Sequence, residues 1–168
     1  MRFSTIRIRS GLKLRQICLL LPSSPDREHT GYITKTRIRH KTGGYGWIDT
    51  DYSKPLPFHT HPANAAFANI PSLRDIRNFL LECDKTSIIV GGSVIWIWTH
   101  TKKSKQIAKI IGSWESDNMV KYLKKHTVER YLSILLRKFG FRKPHTIRLS
   151  NWQKQLDNLG IKSELVVK

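Results

Sequence analysis

The sequence predicts an α/β (α+β) fold, in which a mixed β-sheet is flanked by helices and followed by a basic, mainly helical C-terminal extension. Runs rich in β-branched and aromatic residues recur before residue 100, separated by glycine and proline turn signals. Helical spacing of apolar residues appears at residues 73–80 and again after residue 105. The 168 residues fit one compact domain with an appendage and are too few for a TIM barrel.

The first third of the chain is predicted to be mainly β-strand. Residues 3–9 end in alternating apolar and polar side chains, which predicts a strand with one buried face. Residues 12–21 fit either a short helix or a second strand. A long strand is predicted from just after position 28 to residue 39, followed by a turn at residues 43–44 and an antiparallel return over residues 45–51.

The middle and the end of the chain mix both element types. In order, the patterns predict a strand over residues 58–61, a helix over residues 72–84 and a two-stranded hairpin over residues 87–90 and 93–99. A final short helix follows over residues 152–159, and a last strand over residues 161–167. Gly91 and Gly92 give the hairpin signal. One stripe of a helix that ends at Gly140 is predicted to contain Met119, Leu123, Tyr131, Ile134 and Leu135. We therefore expect a main domain over residues 1–115 and the extension over residues 116–168.

The charge is strongly basic and uneven. Thirty Lys and Arg against 12 Asp and Glu give a net charge of +18; residues 1–100 carry 14 basic and 7 acidic side chains, and residues 101–168 carry 16 and 5. Such a charge draws a protein to nucleic acid, an acidic protein partner or an anionic surface. The predicted contacts in the basic tail are Arg142, Lys143, Lys102 and Lys103, with a solvated charged face as the alternative.

Aromatic residues are interleaved with the cations of the tail. They suit either the stacking of nucleic-acid bases or a helical core, and their helical spacing favours the core. The residues in question are Trp114, Tyr122, Tyr131, Phe139, Phe141 and Trp152.

Cysteine usage and apolar runs bear on the compartment. Cys18 and Cys83 lie in apolar stretches and are too few for a disulfide framework, so we expect reduced, buried thiols and a reducing intracellular setting: cytoplasm, nucleus or a virus particle. The longest apolar runs are far shorter than the ~18 residues of a membrane-spanning helix, so no transmembrane segment is predicted. The first 25 residues have the composition of a mitochondrial presequence, but we expect this segment to be retained.

Two histidines one residue apart carry the main candidate for chemistry. In a strand, His59 and His61 project from the same face, so their imidazoles can share one metal ion. Zinc accepts such ligands, and a catalytic zinc site uses three protein ligands plus water. Asp75 is the candidate third ligand, because it lies one helical turn after Ser72 at the start of the predicted helix. By itself, the histidine pair could occur by chance, and the segment from Ser72 to Asp75 could be a simple helix cap. The metal-site hypothesis therefore rests on the combination of the two.

Together with Glu28, these residues resemble the motif of the JAMM (MPN-type, JAB-domain) zinc metalloproteases. That motif is an upstream Glu, then His-[Ser/Thr]-His-Pro, then Ser-x-x-Asp. The match reads Glu28, His59-Thr60-His61-Pro62 and Ser72-Leu73-Arg74-Asp75, and the resemblance covers roughly residues 10–115. The family usually has seven residues between the second His and the Ser, whereas this chain has ten. Three extra residues in a loop cost little closure entropy, so the ligands can still converge.

The resemblance implies an MPN/JAB-like fold and a zinc-dependent (iso)peptidase acting on ubiquitin, ubiquitin-like conjugates or a related peptide bond. It implies Zn²⁺ held by His59, His61 and Asp75, with Glu28 as the general base and Ser72 stabilising the oxyanion. The alternative is a non-catalytic structural subunit of a nucleic-acid-rich or viral capsid-like assembly built on the same fold. A nucleic-acid enzyme that uses the same triad is a weaker third option, because no nucleotide-pocket motif is visible.

Overall fold

One seven-stranded mixed sheet and five helices form the part of the chain that the computed structural model describes, residues 3–43, 49–123 and 127–168. The strands are β1 (Ser4–Arg7), β2 (His29–Ile33), β3 (Arg37–Thr42), β4 (Pro57–Thr60), β5 (Thr86–Val90), β6 (Val94–His100) and β7 (Ile161–Val167). The helices are α1 (Leu14–Cys18), α2 (Leu73–Glu82), α3 (Lys102–Leu123), α4 (Val128–Arg137) and α5 (Leu149–Asn158).

The strand order in the sheet is β1-β3-β2-β4-β5-β6-β7. The pairs β1–β3, β3–β2 and β2–β4 are antiparallel, and β4 runs parallel to β5. The parallel pair needs a crossover, and the chain between β4 and β5 supplies one that contains α2. The predicted mixed α/β architecture is therefore confirmed at the level of a mixed sheet with helices.

One predicted strand is wrong in its length. The pattern after position 28 predicts a single strand to residue 39, but the chain folds back on itself between β2 and β3, with Ile33 paired to Ile38. The turn is closed by the Thr34 amide, which donates to the Arg37 carbonyl oxygen at 2.8 Å, while the Thr34 hydroxyl accepts from the Arg37 amide. A threonine side chain that bonds the backbone in this way can form a turn without glycine or proline, so the sequence shows no turn signal here.

Most other elements agree with the predictions. Residues 14–18 are helical, so the helix alternative for residues 12–21 is correct, and the last strand has the predicted bounds, Ile161–Val167. The prediction that one helix before Gly140 carries the apolar stripe is wrong. The stripe is divided between two helices, because α3 ends at Leu123 and α4 begins after its N-cap, Thr127. The predicted return over residues 45–51 falls largely on residues 44–48, outside the described ranges.

The chain forms two compact units. The first consists of Met1–Asn69, Asp84–Trp98 and Glu164–Lys168 and contains strands β1 to β5. Its core lies on one face of these strands, where Phe58, Ile88 and Val90 pack with Cys18 of α1 and Ile38 of β3. Burial raises the pKa of the Cys18 thiol to about 12, so this cysteine is an inert apolar side chain at neutral pH.

The second unit consists of Ile70–Cys83 and Thr99–Ser163 and contains helices α2 to α5. At its centre, the buried Glu115 carboxylate accepts hydrogen bonds from the Arg77 guanidinium at 2.9 Å and from the Tyr131 hydroxyl at 3.0 Å. Burial and the bonded carboxylate raise the pKa of Tyr131. Tyr131, Phe141 and Trp152 are buried, which confirms the core interpretation for these three aromatic residues.

The predicted boundary between residues 115 and 116 falls inside α3 rather than at a limit of either unit. β7, which belongs to the predicted extension, is a strand of the seven-stranded sheet. None of the helices in the described ranges combines the length and apolar character needed to cross a bilayer.

Candidate metal centre

Strand β4 fixes the positions of the two histidines. It lies between β2 and β5 in the middle of the sheet, and all four of its residues are buried. His59 pairs with Thr30 on one side and Ile89 on the other. The His61 amide donates to the Val90 carbonyl oxygen at 2.8 Å, which continues the pairing by one residue past the strand. The two imidazoles therefore share one face of the sheet, with ring centroids 5.3 Å apart.

Thr60, between the histidines, faces the other way. It is buried, and its hydroxyl accepts a hydrogen bond from the His29 amide at 2.8 Å. This contact ties β2 to the end of β4 and gives Thr60 a structural role.

The first turn of α2 fixes the position of Asp75. Ser72 is the N-cap: its hydroxyl accepts from the Asp75 amide at 3.0 Å, and an Asp75 carboxylate oxygen accepts from the Ser72 amide at 2.7 Å. This reciprocal pair is a capping box, which satisfies two amides at the helix start. A carboxylate has about four lone-pair sites, so accepting from the Ser72 amide is compatible with binding a cation.

The predicted ligands come together. Ligand atoms of His59, His61 and Asp75 all lie within 4.8 Å of one another, and within the described residues this is the group of histidine, cysteine and acidic side chains that could hold a metal ion. Two of the ligands follow from the period of a strand, and the third follows from the first turn of a helix. The geometry expected from the sequence for these three residues is therefore present.

A backbone carbonyl in the loop after β4 sets the state of the His61 ring. The Nδ1 atom of His61 lies 3.2 Å from the carbonyl oxygen of Ala68. A carbonyl oxygen only accepts hydrogen bonds, so Nδ1 must carry the proton, which leaves Nε2 with its lone pair in the neutral ring. Metal-binding histidines commonly donate their second ring N–H to such a partner, which fixes the tautomer and the ring orientation.

The next residue, Asn69, anchors this loop to the turn between β5 and β6. Its side-chain oxygen accepts from the Ser93 amide at 2.7 Å, and its side-chain nitrogen donates to the Ser93 hydroxyl at 2.9 Å. Its carbonyl oxygen accepts from the Trp96 indole N–H at 2.9 Å. A Cβ atom at Gly91 would lie only 2.6 Å from the Ala68 carbonyl oxygen, so the loop needs glycine at that position to approach this closely.

The two remaining predicted site residues lie next to these elements. The backbone on both sides of the Glu28 side chain is held, because the Glu28 carbonyl oxygen accepts from the Gly43 amide at 2.8 Å and the His29 amide bonds Thr60. Glu28 comes directly before β2 and two residues before Thr30, which pairs with His59. Ser72 is the helix cap, with its hydroxyl oxygen accepting from Asp75.

A second histidine pair lies on the other face of the same sheet. His29 and His40 have ring centroids 5.6 Å apart, and His29 Nδ1 lies 3.3 Å from the Thr42 hydroxyl. Burial lowers the pKa of both rings, and the neighbouring His40 lowers that of His29 further. Both imidazoles are therefore held in the neutral form.

The predicted phosphate or acidic-partner contacts are all exposed in the helical unit. Lys102 and Lys103 begin α3, and Arg142 and Lys143 follow α4. Lys143 forms an ion pair with Glu129 at 2.7 Å, so its charge is partly neutralised.

Sequence reasoning missed Ala68 and Asn69. A main-chain carbonyl gives no signal in the sequence, because every residue type supplies one. The nearest available signal is the pair of glycines at residues 91–92, which predicts a tight turn but does not say what packs against it. Comparison of the chain with protein-family profiles, curated proteins and solved structures gives no match.

Proposed function

We propose that this chain is a JAMM-type zinc-dependent (iso)peptidase that hydrolyses ubiquitin-like conjugates or a related peptide bond. One observation carries the proposal: His59, His61 and Asp75 place their ligand atoms within 4.8 Å of one another, in the order and local structures of the motif that the sequence resembles. Glu28, the only glutamate before His59, comes directly before β2, whose Thr30 pairs with His59.

The donor set supports zinc as the ion. Two imidazoles and one carboxylate, with a position left for water, are typical of catalytic zinc sites. Ligand atoms about 2.1 Å from one ion at tetrahedral angles lie roughly 3.4 Å apart, so small side-chain rotations from separations within 4.8 Å bring the three donors to bonding distance. The contact of His61 Nδ1 with the Ala68 carbonyl oxygen fixes the ring orientation, as is common for metal-binding histidines.

The roles of the protein groups follow from their chemistry. When bound, zinc supplies Lewis acidity and water with a pKa near 7. In the proposed reaction, the Glu28 carboxylate takes a proton from the attacking water and later gives it to the leaving amine. The Ser72 hydroxyl accepts from the Asp75 amide, and its own proton is proposed to be donated to the oxygen on which negative charge develops.

The test uses the purified 168-residue chain with one equivalent of zinc. Turnover is measured on a panel of ubiquitin-like proteins linked through their C termini to a lysine side chain, and on unstructured peptides. We expect zinc-dependent cleavage that falls by about 10²–10⁴-fold in Glu28→Gln, because the general base is lost. Bound zinc, measured by elemental analysis, should stay at one per chain in that variant.

Glu129→Gln is the matched control. It removes the charge of an exposed glutamate whose ion pair with Lys143 has little energetic weight, so turnover should be unchanged. If the chain binds one zinc ion but cleaves no substrate, the peptidase proposal is contradicted and the structural-subunit alternative is favoured. If the chain binds no zinc, the proposed metal site itself is contradicted.

A further inference from the structure

The outer half of the sheet has one face that the core does not use. Ile6, Ile8 and Ile38 point towards the core, so the alternating positions of β1 and β3 point away from it. Arg7 lies opposite Arg37, and Arg39 lies between Thr5 and Tyr32. These side chains, together with Phe3 and Lys41 two positions along their strands, form a surface that we call the basic platform: Phe3, Arg7, Tyr32, Arg37, Arg39 and Lys41.

The aromatic and cationic groups of the platform contact one another directly. The Arg39 guanidinium carbon lies 5.3 Å from the centre of the Phe3 ring and 6.0 Å from that of Tyr32. Arg39 also donates a hydrogen bond to the Tyr32 hydroxyl at 3.2 Å. The two rings meet edge to face, with centroids 6.3 Å apart. The Phe3 side chain remains 44% exposed.

Folding alone does not account for this arrangement. Like charges directly opposite on neighbouring strands destabilise a sheet, and Arg7 faces Arg37. Within the described ranges, no carboxylate forms a salt bridge with any of the four platform cations. Arg7, Arg37 and Arg39 are exposed. The platform therefore concentrates uncompensated positive charge beside an exposed aromatic ring.

This chemistry fits one class of partner. Phosphates satisfy closely spaced arginines, and an exposed aromatic ring on a sheet offers a stacking surface for an unpaired base. A duplex hides its base faces, and an acidic peptide has no bases to stack. We propose that the basic platform binds single-stranded nucleic acid without sequence readout, with phosphates on the arginines and a base on Phe3. The proposal does not depend on the metal site.

The experiment measures fluorescence anisotropy of a labelled single-stranded dodecamer, oligo(dT) or oligo(rU), with the full chain over a series of salt concentrations. Arg7→Gln/Arg37→Gln removes two phosphate contacts, so we expect about tenfold weaker binding and a salt slope lower by about 1.4. Phe3→Ser removes stacking, so we expect about tenfold weaker binding with the slope unchanged.

Two variants serve as controls for charge. Lys154→Gln/Lys162→Gln removes the same number of exposed cations elsewhere and should change affinity less than about twofold. Arg142→Gln/Lys143→Gln removes the patch predicted from the sequence and should leave the platform's contribution intact. Circular dichroism and thermal unfolding of every variant separate lost contacts from lost fold.

Three outcomes would overturn the proposal. The first is no binding of single strands by the wild-type chain. The second is binding that the platform variants leave unchanged, for example when only the Arg142 and Lys143 variant loses it. The third is equal binding of a dodecamer duplex or a polyglutamate peptide with no effect of Phe3→Ser, which would assign the surface to general polyanion attraction.

Discussion

The sheet carries two histidine pairs that look alike and differ in chemistry. His59 and His61 have ring centroids 5.3 Å apart, and His29 and His40 have theirs 5.6 Å apart. The first pair has the Asp75 carboxylate within 4.8 Å. For the second pair, the described residues provide no third histidine, cysteine or acidic ligand in such a group, and its hydroxyl neighbour is Thr42.

The difference shows that proximity of two imidazoles is not what makes a candidate metal site. A carboxylate ligand adds negative charge and a third donor, and the Ala68 carbonyl fixes the tautomer of His61. The pair of His29 and His40 instead sits where burial favours neutral rings. We therefore expect metal dependence from one pair and pH dependence from the other.

The largest effect is expected when the carboxylate beside His59 and His61 loses its charge. Asp75→Asn keeps an oxygen that can accept from the Ser72 amide but removes the charge, so the helix cap survives and the ligand does not. We expect zinc affinity, measured by chelator competition, to fall by more than about a hundredfold, because losing only an outer-shell partner already costs about 10–100-fold. Zinc at a hundred times the wild-type Kd should stabilise the wild-type chain by about 2.7 kcal/mol and this variant far less.

His40→Gln is the matched control for that experiment, because it removes one histidine from the second pair. Its zinc affinity should stay within about twofold of the wild-type value. Equal loss of affinity in both variants would show that the two pairs do not differ as described.

An intermediate effect is expected when the loop is released. Asn69→Ala removes both side-chain bonds to Ser93, so the Ala68 carbonyl is held less firmly against His61. Zinc affinity should fall by about 10–100-fold, as for other outer-shell partners. Asn64→Ala makes the same change at an exposed position in the same loop and should leave affinity unchanged. Indistinguishable affinities for the two variants would remove Asn69 from the site.

The smallest expected effect concerns acid. Because the folded-state pKa values of His29 and His40 lie below the ordinary value near 6.5, the unfolded chain binds more protons as pH falls. Their stabilising contribution is complete above pH ~6.5 and is lost as the pH falls towards their folded-state values. The free energy of unfolding of the zinc-free chain should therefore fall less between pH 7 and pH 5 in His40→Gln than in the wild type. Parallel curves from denaturant titrations would contradict this assignment.

The comparison also shows how far sequence patterns reach. Local signals predicted a short strand at β4, the helix α2 by its N-cap and apolar spacing, and the last strand. The predicted single strand from position 29 to residue 39 is wrong because Thr34 closes a turn with its side chain, and threonine is also a favoured strand residue. The sequence pattern does not show that the last strand joins the sheet, because strand pairing over such a distance leaves no local pattern.

The sequence alone determined the candidate ligands, since a period of two puts His59 and His61 on one face and a capping box puts Asp75 in the first turn of a helix. Only the tertiary structure decided which histidine pair has an acidic neighbour, which carbonyl orients His61 and which of the described cations lie without a salt bridge to a carboxylate. The reason is physical: period and capping are set by bonds between residues a few positions apart. Convergence and exposure depend on packing between segments distant in the chain.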